Sequence, residues 1–530
     1  MANSTALQLP PPYRGQNDRV PLFSLQNPFC ERMENFKNTQ GLLKLRQGNK
    51  AYALQTGAGL NSLALASYGT TRMLMTTGDP TIGSRLRWYS VTAGVLVAEH
   101  SLATTGETQV HSLYFRDYLY YFGDVALNAI TGTGPQYYNG TVWGTTAYTW
   151  PASFNPIGGC VHKNRAYFIQ QSAAAYGYSN IDAISGAVTK VDLGSIVSTK
   201  ASLYIIRSIS STEATSQQNL AAFLFSNGDV LVYSGSYPDS SNWGLAARFK
   251  ISAPIFYNSF ADAKGDSFIF TTSEILSLRN LFISGYEKER TEGIGATIKN
   301  RWTQIYRSLV AQGVTDTFDY LRYIKGVYDE NNDRLIISIP MWVNPTTGAA
   351  DGTKPFQLIY DFTLGAWYEY VQAGSSQDYV PAITYFNGTI YFLTHKSTLT
   401  QIVQLEGKTN YLDDAIATTG TIGIDYKVRS APSPISRFGI VQVGGMEAIM
   451  KSDIYPSVRF KFIANLGQQE TEVQTITDSL GTTIQKPLFN VGSNANVVQY
   501  ELYGTSTTST IGLEIYATNL WITDAVGVAR

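Results

Sequence analysis

The sequence predicts an all-β fold: a β-propeller of six or seven blades with a small helical insertion and a C-terminal antiparallel β-sandwich. Three observations lead there. A turn phrase recurs, as Asn128-Ala129-Ile130-Thr131-Gly132 and Ile181-Asp182-Ala183-Ile184-Ser185-Gly186, with looser echoes at Val91-Thr92-Ala93-Gly94 and from Tyr360-Asp361 to Gly365-Ala366-Trp367. Asp or Asn bonds its own backbone two residues on, and Gly enters the left-handed region at low cost, so this spelling reverses a chain between strands. Its return at intervals of roughly 40 to 55 residues is the mark of sheets repeated around an axis. Composition agrees, since 13% aromatic residues with 35 Tyr, 46 Gly and only 15% charged residues suit sheets joined by tight turns. Finally, aromatic or branched runs flank short polar turns at 114–122, 160–169, 223–233 and 383–392, most clearly at Asn227-Gly228 and Asn387-Gly388.

Taken in order, residues 1–45 read as an extended N-terminal arm, because they carry Pro10-Pro11-Pro12, Pro21 and Pro28 and lack a clean period before the apolar run Leu42-Leu43-Lys44-Leu45. Residues 46–400 hold the hairpins and read as the propeller. Within them, Leu276, Leu278, Leu281, Phe282, Ile298, Trp302, Ile305 and Leu309 stand at spacings that include helical intervals, predicting a helical insertion near 275–312. Residues 401–530 lose the repeat and alternate over longer strands, as in Ile511-Gly512-Leu513-Glu514-Ile515-Tyr516-Ala517, which predicts the sandwich.

Charge narrows the function classes. A formal net charge of -1 over 530 residues, without long runs of one sign, offers no strong attraction for nucleic acid or anionic membrane. Cys30 and Cys160 stand far apart and flank no metal-like spacing, so they read as two reduced, half-buried thiols. The polar start and the lack of a long apolar run predict neither a signal peptide nor a membrane span.

Four stretches, in order, carry a resemblance. They are Pro12-Tyr13-Arg14-Gly15-Gln16-Asn17 through Glu34-Asn35-Phe36 to Leu45-Arg46-Gln47-Gly48; Gly228-Asp229 through Gly235 and Pro238 to Trp243 and Arg248-Phe249-Lys250-Ile251; Gly265-Asp266 to Glu274-Ile275; and Tyr360-Asp361 through Ala366-Trp367 to Phe392. Together they span much of residues 10–395, and the chain resembles the tail hub or nozzle proteins of short-tailed bacteriophages, of the packaged-DNA stabilisation type. It departs at Ile275, where the family usually has glycine. The resemblance implies a structural virion protein of the tail, assembled in the host cytoplasm. It implies a hexameric ring below a portal-proximal adaptor, with tail fibre, spike or needle proteins as further partners. That ring forms the channel that retains packaged double-stranded DNA and conducts it during ejection. The sandwich would be an elaboration near host-facing parts. The alternative is a glycan-binding propeller serving adhesion or receptor binding.

Catalytic chemistry was sought among the residues that carry it. His100, His111, His162 and His395 are scattered; Cys160 and His162 share a strand face, yet a zinc site needs a third ligand, and His162 reads as a surface histidine. Asp413-Asp414 and Asp329-Glu330 are paired carboxylates, but neighbours in a strand point to opposite faces, so neither pair makes an acid and a nucleophile. No nucleophile elbow, phosphate loop or dinucleotide fingerprint occurs. Tyr360 and Trp367 read as core, and most tyrosines as packing between blades. Arg85, Arg87, Lys250, Lys299 and Arg301 are candidates to face a DNA channel, although without a cluster a solvated surface is the simpler reading. The expectation is therefore no enzyme, with no catalytic, cofactor or metal residues.

Overall fold

The computed structural model describes residues 4–523 with interruptions; the longest fall at 19–28, 103–109, 124–134, 284–292 and 476–483, and the others are of six residues or fewer. Strands dominate and helices are few. Small antiparallel sheets follow one another along the chain. The first pairs Ser62–Tyr68, Arg72–Asp79, Arg85–Thr92 and Val95–Leu102 in sequence order, and the second Val110–Phe115, Tyr118–Gly123, Gln136–Tyr138 and Trp143–Thr145. The third joins Pro156–His162, Arg165–Gln170, Ala175–Tyr178 and Thr189–Asp192; the fourth joins Leu203–Glu213, Ser216–Phe225, Asp229–Ser234 and Gly244–Lys250. A fifth, three-stranded sheet runs Phe260–Ala263, Asp266–Phe270 and Ile275–Ser277 before the chain leaves into helices. The sixth continues with Lys325–Asp329, Arg334–Ile339, Phe356–Asp361 and Ala366–Val371. The last takes Ile383–Phe386, Thr389–Lys396 and Leu399–Gln404, and then borrows Lys50–Thr56 from the start of the chain, with Leu399 opposite Thr56 and Gln404 opposite Lys50.

The first strand of each sheet lies beside that of the next, with the fourth meeting the fifth through its second strand, and the last returns to the first. This is the radial arrangement of a β-propeller. Apolar clusters fill the spaces between sheets: Leu113, Phe115, Phe122, Phe154 and Phe168 between the second and third, and Tyr167, Tyr176, Leu203 and Phe223 between the third and fourth. Many tyrosines are therefore packing residues, as expected.

The turns explain the repeat only in part. In four of the first hairpins a two-residue loop has positive φ at both positions: Arg116-Asp117, Lys163-Asn164, Lys264-Gly265 and Asn387-Gly388. That backbone twist suits a hairpin, and glycine is its usual carrier. Only the last is spelled Asn-Gly. The phrase at 128–132 lies outside the described residues, and the one at 181–186 is no tight hairpin. There Ser185–Ala187 makes an excursion and pairs in parallel with Ala147–Thr149.

Contacts across these turns link consecutive sheets. Tyr68 Oη donates to Asp117 O at 2.9 Å, Arg116 pairs with Asp182, and Lys163 donates to Gly235 O. Arg207 meets Asp262 at 3.3 Å, Lys264 meets Asp333 at 2.7 Å, and Asn331 Nδ2 donates to Gly388 O at 2.7 Å.

Helix α1 (Leu278–Ile283) and helix α2 (Lys299–Asp316) occupy the region where the insertion is expected. Helix α2 buries Trp302, Ile305 and Leu309, and Trp302 Nε1 donates to Thr271 O at 2.8 Å. Ile275 is buried and begins a strand, with Gly293 and Gly295 pressed against it, so the backbone there has no need of glycine.

The first 45 residues differ from an extended arm. Ser4–Leu9, Phe36–Thr39 and Leu42–Leu45 join a flank sheet with Leu513–Thr523, Val441–Ser452 and Leu488–Ala495. Cys30–Glu34 instead lies between Ala366–Val371 of the sixth sheet and Asp425–Ser430, so the sixth sheet runs on into a junction sheet with Val497–Thr505 and Arg459–Ala464. One buried cluster joins both: Met33, Phe36 and Leu43 pack with Val428, Met446, Phe460 and Leu502. Paired strands satisfy backbone groups that an isolated arm would leave to water.

Candidate functional site: the buried junction

Three buried ionic groups sit where the sixth and last sheets, the first 49 residues and the C-terminal strands meet. The centre is Asn35. It is buried with φ 60, a left-handed backbone that Asn tolerates better than most residues. Its Nδ2 donates to Val371 O at 2.8 Å and to Asp425 O at 2.5 Å, while its Oδ1 accepts from Val371 N at 2.8 Å and from Arg46 Nε at 2.7 Å. One amide thus uses its whole bonding capacity on three separate segments.

Arg46 turns its other two nitrogens onto Asp413, at 2.8 and 2.7 Å, and both side chains are fully buried. Asp413 also accepts from Asn49 N at 2.8 Å. Burial opposes the charge on Arg46, but the Asp413 carboxylate outweighs it and holds the guanidinium pKa above its ordinary value. The Tyr370 ring lies 5.4 Å from the guanidinium.

Arg301, at the start of helix α2, is held by Glu369 at 2.8 and 3.2 Å. Arg334 pairs with Asp329 at 2.8 Å and Glu406 at 2.9 Å, and Lys37 reaches Glu406 at 2.7 Å. Burial raises the Glu406 pKa, but Arg334 first and Lys37 next bring it down to about 2. Close approach seals the junction. A Cβ on Gly48 would stand 1.9 Å from Leu412 O, and one on Gly15, whose φ is +70, would stand 2.3 Å from Trp367 O.

Beside it, Asp18 accepts from the backbone N–H groups of Asn300 and Arg301 and so caps helix α2 from a distant part of the chain. Burial pushes its pKa up to about 6, against the lowering effect of those two donors. A cavity of about 360 Å³ opens here, lined by Gln16, Asp18, Glu31, Asn300, Arg301 and Gln304 among others.

The residues singled out from sequence fall as follows. Asp413 and Asp329 are buried partners of arginines, and Asp414 pairs with Lys408; Glu330 is exposed. Arg301 is buried and paired with Glu369 rather than on a solvated surface, whereas Lys250 and Lys299 are exposed; Arg85 and Arg87 lie in a described strand with side chains outside the described residues, as do those of His100 and His395. Trp367 is core, donating to Ile294 O at 2.7 Å with Tyr360 5.0 Å away. His111 is buried near Tyr257.

Two expectations are corrected. His162 is buried rather than at the surface, because its strand, the first of the third sheet, lies against the first strand of the fourth; its Nδ1 lies 2.8 Å from Ser208 Oγ. Burial lowers its pKa to about 4, which disarms it as a base near neutrality, and its Nε2 has no hydrogen-bond partner among the described residues. Cys30 and Cys160 are fully buried free thiols rather than half-buried ones. Among the described residues no group of His, Cys, Asp and Glu is placed to hold a metal ion, and no helix is long and apolar enough to cross a membrane.

Sequence reasoning did not find Asn35 and Arg46 as partners; the signal was present only as the quoted phrases Asn35-Phe36 and Arg46-Gln47-Gly48. No family model and no curated protein matches the chain. Among solved structures it is similar to the β-propeller domain of Cps50 (Swd1) from Myceliophteria thermophila, at 8% identity and a TM-score of 0.40, over 67% of this chain and 99% of that one.

Proposed function

We propose that the chain is a structural tail hub or nozzle subunit of a short-tailed phage. It has no catalytic role, joins the virion after assembly in the host cytoplasm, and closes into a hexameric ring whose channel retains packaged DNA and conducts it at ejection. In this reading each of the seven sheets is a blade, residues 46–400 form the propeller, and the strands after 400 form a sandwich with those of the arm. The adaptor sits above the ring, and fibre, spike or needle proteins attach to it.

The observation that carries the reading is the convergence of the resemblance on one place. Gly15, Asn35, Arg46, Gly48 and Trp367 all come from the quoted stretches, and all meet at the junction. A tube wall needs such a weld, because a force along the channel must not separate ring from flank. Charge supports the same reading. Arg46, Arg301 and Arg334 are committed to buried carboxylates, and a net charge of -1 leaves little to grip phosphates and stall a passing duplex.

The test is electron microscopy of the purified chain with and without its adaptor, together with light scattering. Six-fold rings are the expected result. Monomers alone under both conditions would overturn the proposal.

A further inference from the structure

The flank sheet turns one face to the shared core and the other to solvent. Across four adjacent strands, Ala6, Trp521, Gly445 and Asn490 stand in one outward row. The residues beside them in sequence, Leu520, Met446 and Phe489, are buried on the opposite face. Trp521 is 37% exposed in mid-sheet, between Ala6 on one side and Gly445 on the other, so part of its indole stays open to solvent. Leu488, 60% exposed, extends this apolar spot: its Cδ1 would lie 3.2 Å from a Cβ on Gly445, so the glycine makes room for it.

Around this spot the polar groups include several amides and one carboxylate. The next row holds Gln8, Asn519 and Glu447, and Asn519 Nδ2 donates to Glu447 Oε2 at 2.7 Å, which fixes the carboxylate. On the other side Gln442 faces Asn494. Asn is disfavoured inside strands, so Asn490, Asn494 and Asn519 are not explained by propensity. None of the rows contains Lys or Arg.

We propose that this face is a binding site for a neutral glycan. A pyranose offers a C–H face that packs on an indole, and a rim of hydroxyls that both donate and accept, as side-chain amides do. The lack of cations in these rows disfavours phosphate-bearing polymers. The site lies outside the propeller and stands whether or not the chain belongs to a phage tail.

The test uses the full chain on a printed array of neutral and anionic oligosaccharides, followed by calorimetry with the tightest neutral binder. Binding to neutral sugars is expected, weakened at least about ten-fold in Trp521→Ala and in Asn490→Ala, with cooperative thermal unfolding retained in both. Absence of array binding, a preference for anionic sugars, or equal binding by Trp521→Ala would overturn it. So would a change in oligomeric state in Trp521→Ala without any sugar affinity in the parent, which would assign the face to a protein contact.

Discussion

Arg46 and Asp413 are 367 residues apart in sequence and meet in a two-pronged ion pair from which water is excluded. Each charge alone would be an expensive guest in that interior. Together, with Asn35 and Asn49 completing their hydrogen bonds, they tie the entry of the ring to the segment that leaves it.

Arg46→Met or Asp413→Leu alone should destabilise the protein by about 3–5 kcal/mol, since each strands a buried charge. The double variant should recover a large part of that loss. Denaturant midpoints for the four members of the cycle measure the coupling, and simple additivity would show that the pair is not a unit.

Gly48→Ala and Gly15→Ala should each cost about 1–3 kcal/mol, at the upper end, because a backbone carbonyl occupies the place of the new methyl. Gly41→Ala is the control: its φ of +87 is strained for alanine, but nothing lies within 4 Å, so about 1 kcal/mol is expected. Thermal unfolding ranks the three.

Asp18 should make stability fall as pH rises. Its folded pKa of about 6 lies above the ordinary 3.8, so the folded state holds the proton more tightly. The contribution is greatest below pH 3.8 and is lost through pH 6, by about 1–3 kcal/mol in all. Asp18→Asn keeps a capping oxygen without the charge. The difference between variant and parent, followed from pH 4 to 7, should therefore grow in favour of the variant; a flat difference would show that the carboxyl is solvated.

Both cysteines should resist alkylation in the native protein. Burial pushes the Cys160 thiol up to about 12 and Cys30 higher than its ordinary value, and only the thiolate reacts. Mass spectrometry after iodoacetamide at pH 8 should find neither labelled until denaturant is added. Rapid labelling of either would mean that its sheet opens.

Hairpins were legible in the sequence because alternation and turn residues are local. The helical insertion was too, since Trp302, Ile305 and Leu309 keep their spacing in helix α2. The turns at Arg116-Asp117 and Lys163-Asn164 were legible as polar breaks between apolar runs, and Asp117 and Asn164 tolerate positive φ; what the sequence did not announce is positive φ at Arg116 and Lys163 as well. The arm looked unpaired because its partners, Asp425–Ser430 and Leu513–Thr523, lie at the far end of the chain. The junction was hidden for the same reason: an Asn beside a Phe says nothing of four bonds to three segments, two of them more than 300 residues away. Trp521 followed the alternation, but its amide neighbours come from other strands and meet only in the folded sheet.

Among the described residues, the strand Lys50–Thr56 pairs with Leu399–Gln404. On a ribosome, roughly 350 residues must follow it before that partner emerges, a wait of about 20–70 s at ordinary elongation rates. Until then one end of a nascent β-structure is an open invitation to any other strand in the cell. Shielding this segment during translation would therefore govern how much of the chain reaches its folded state.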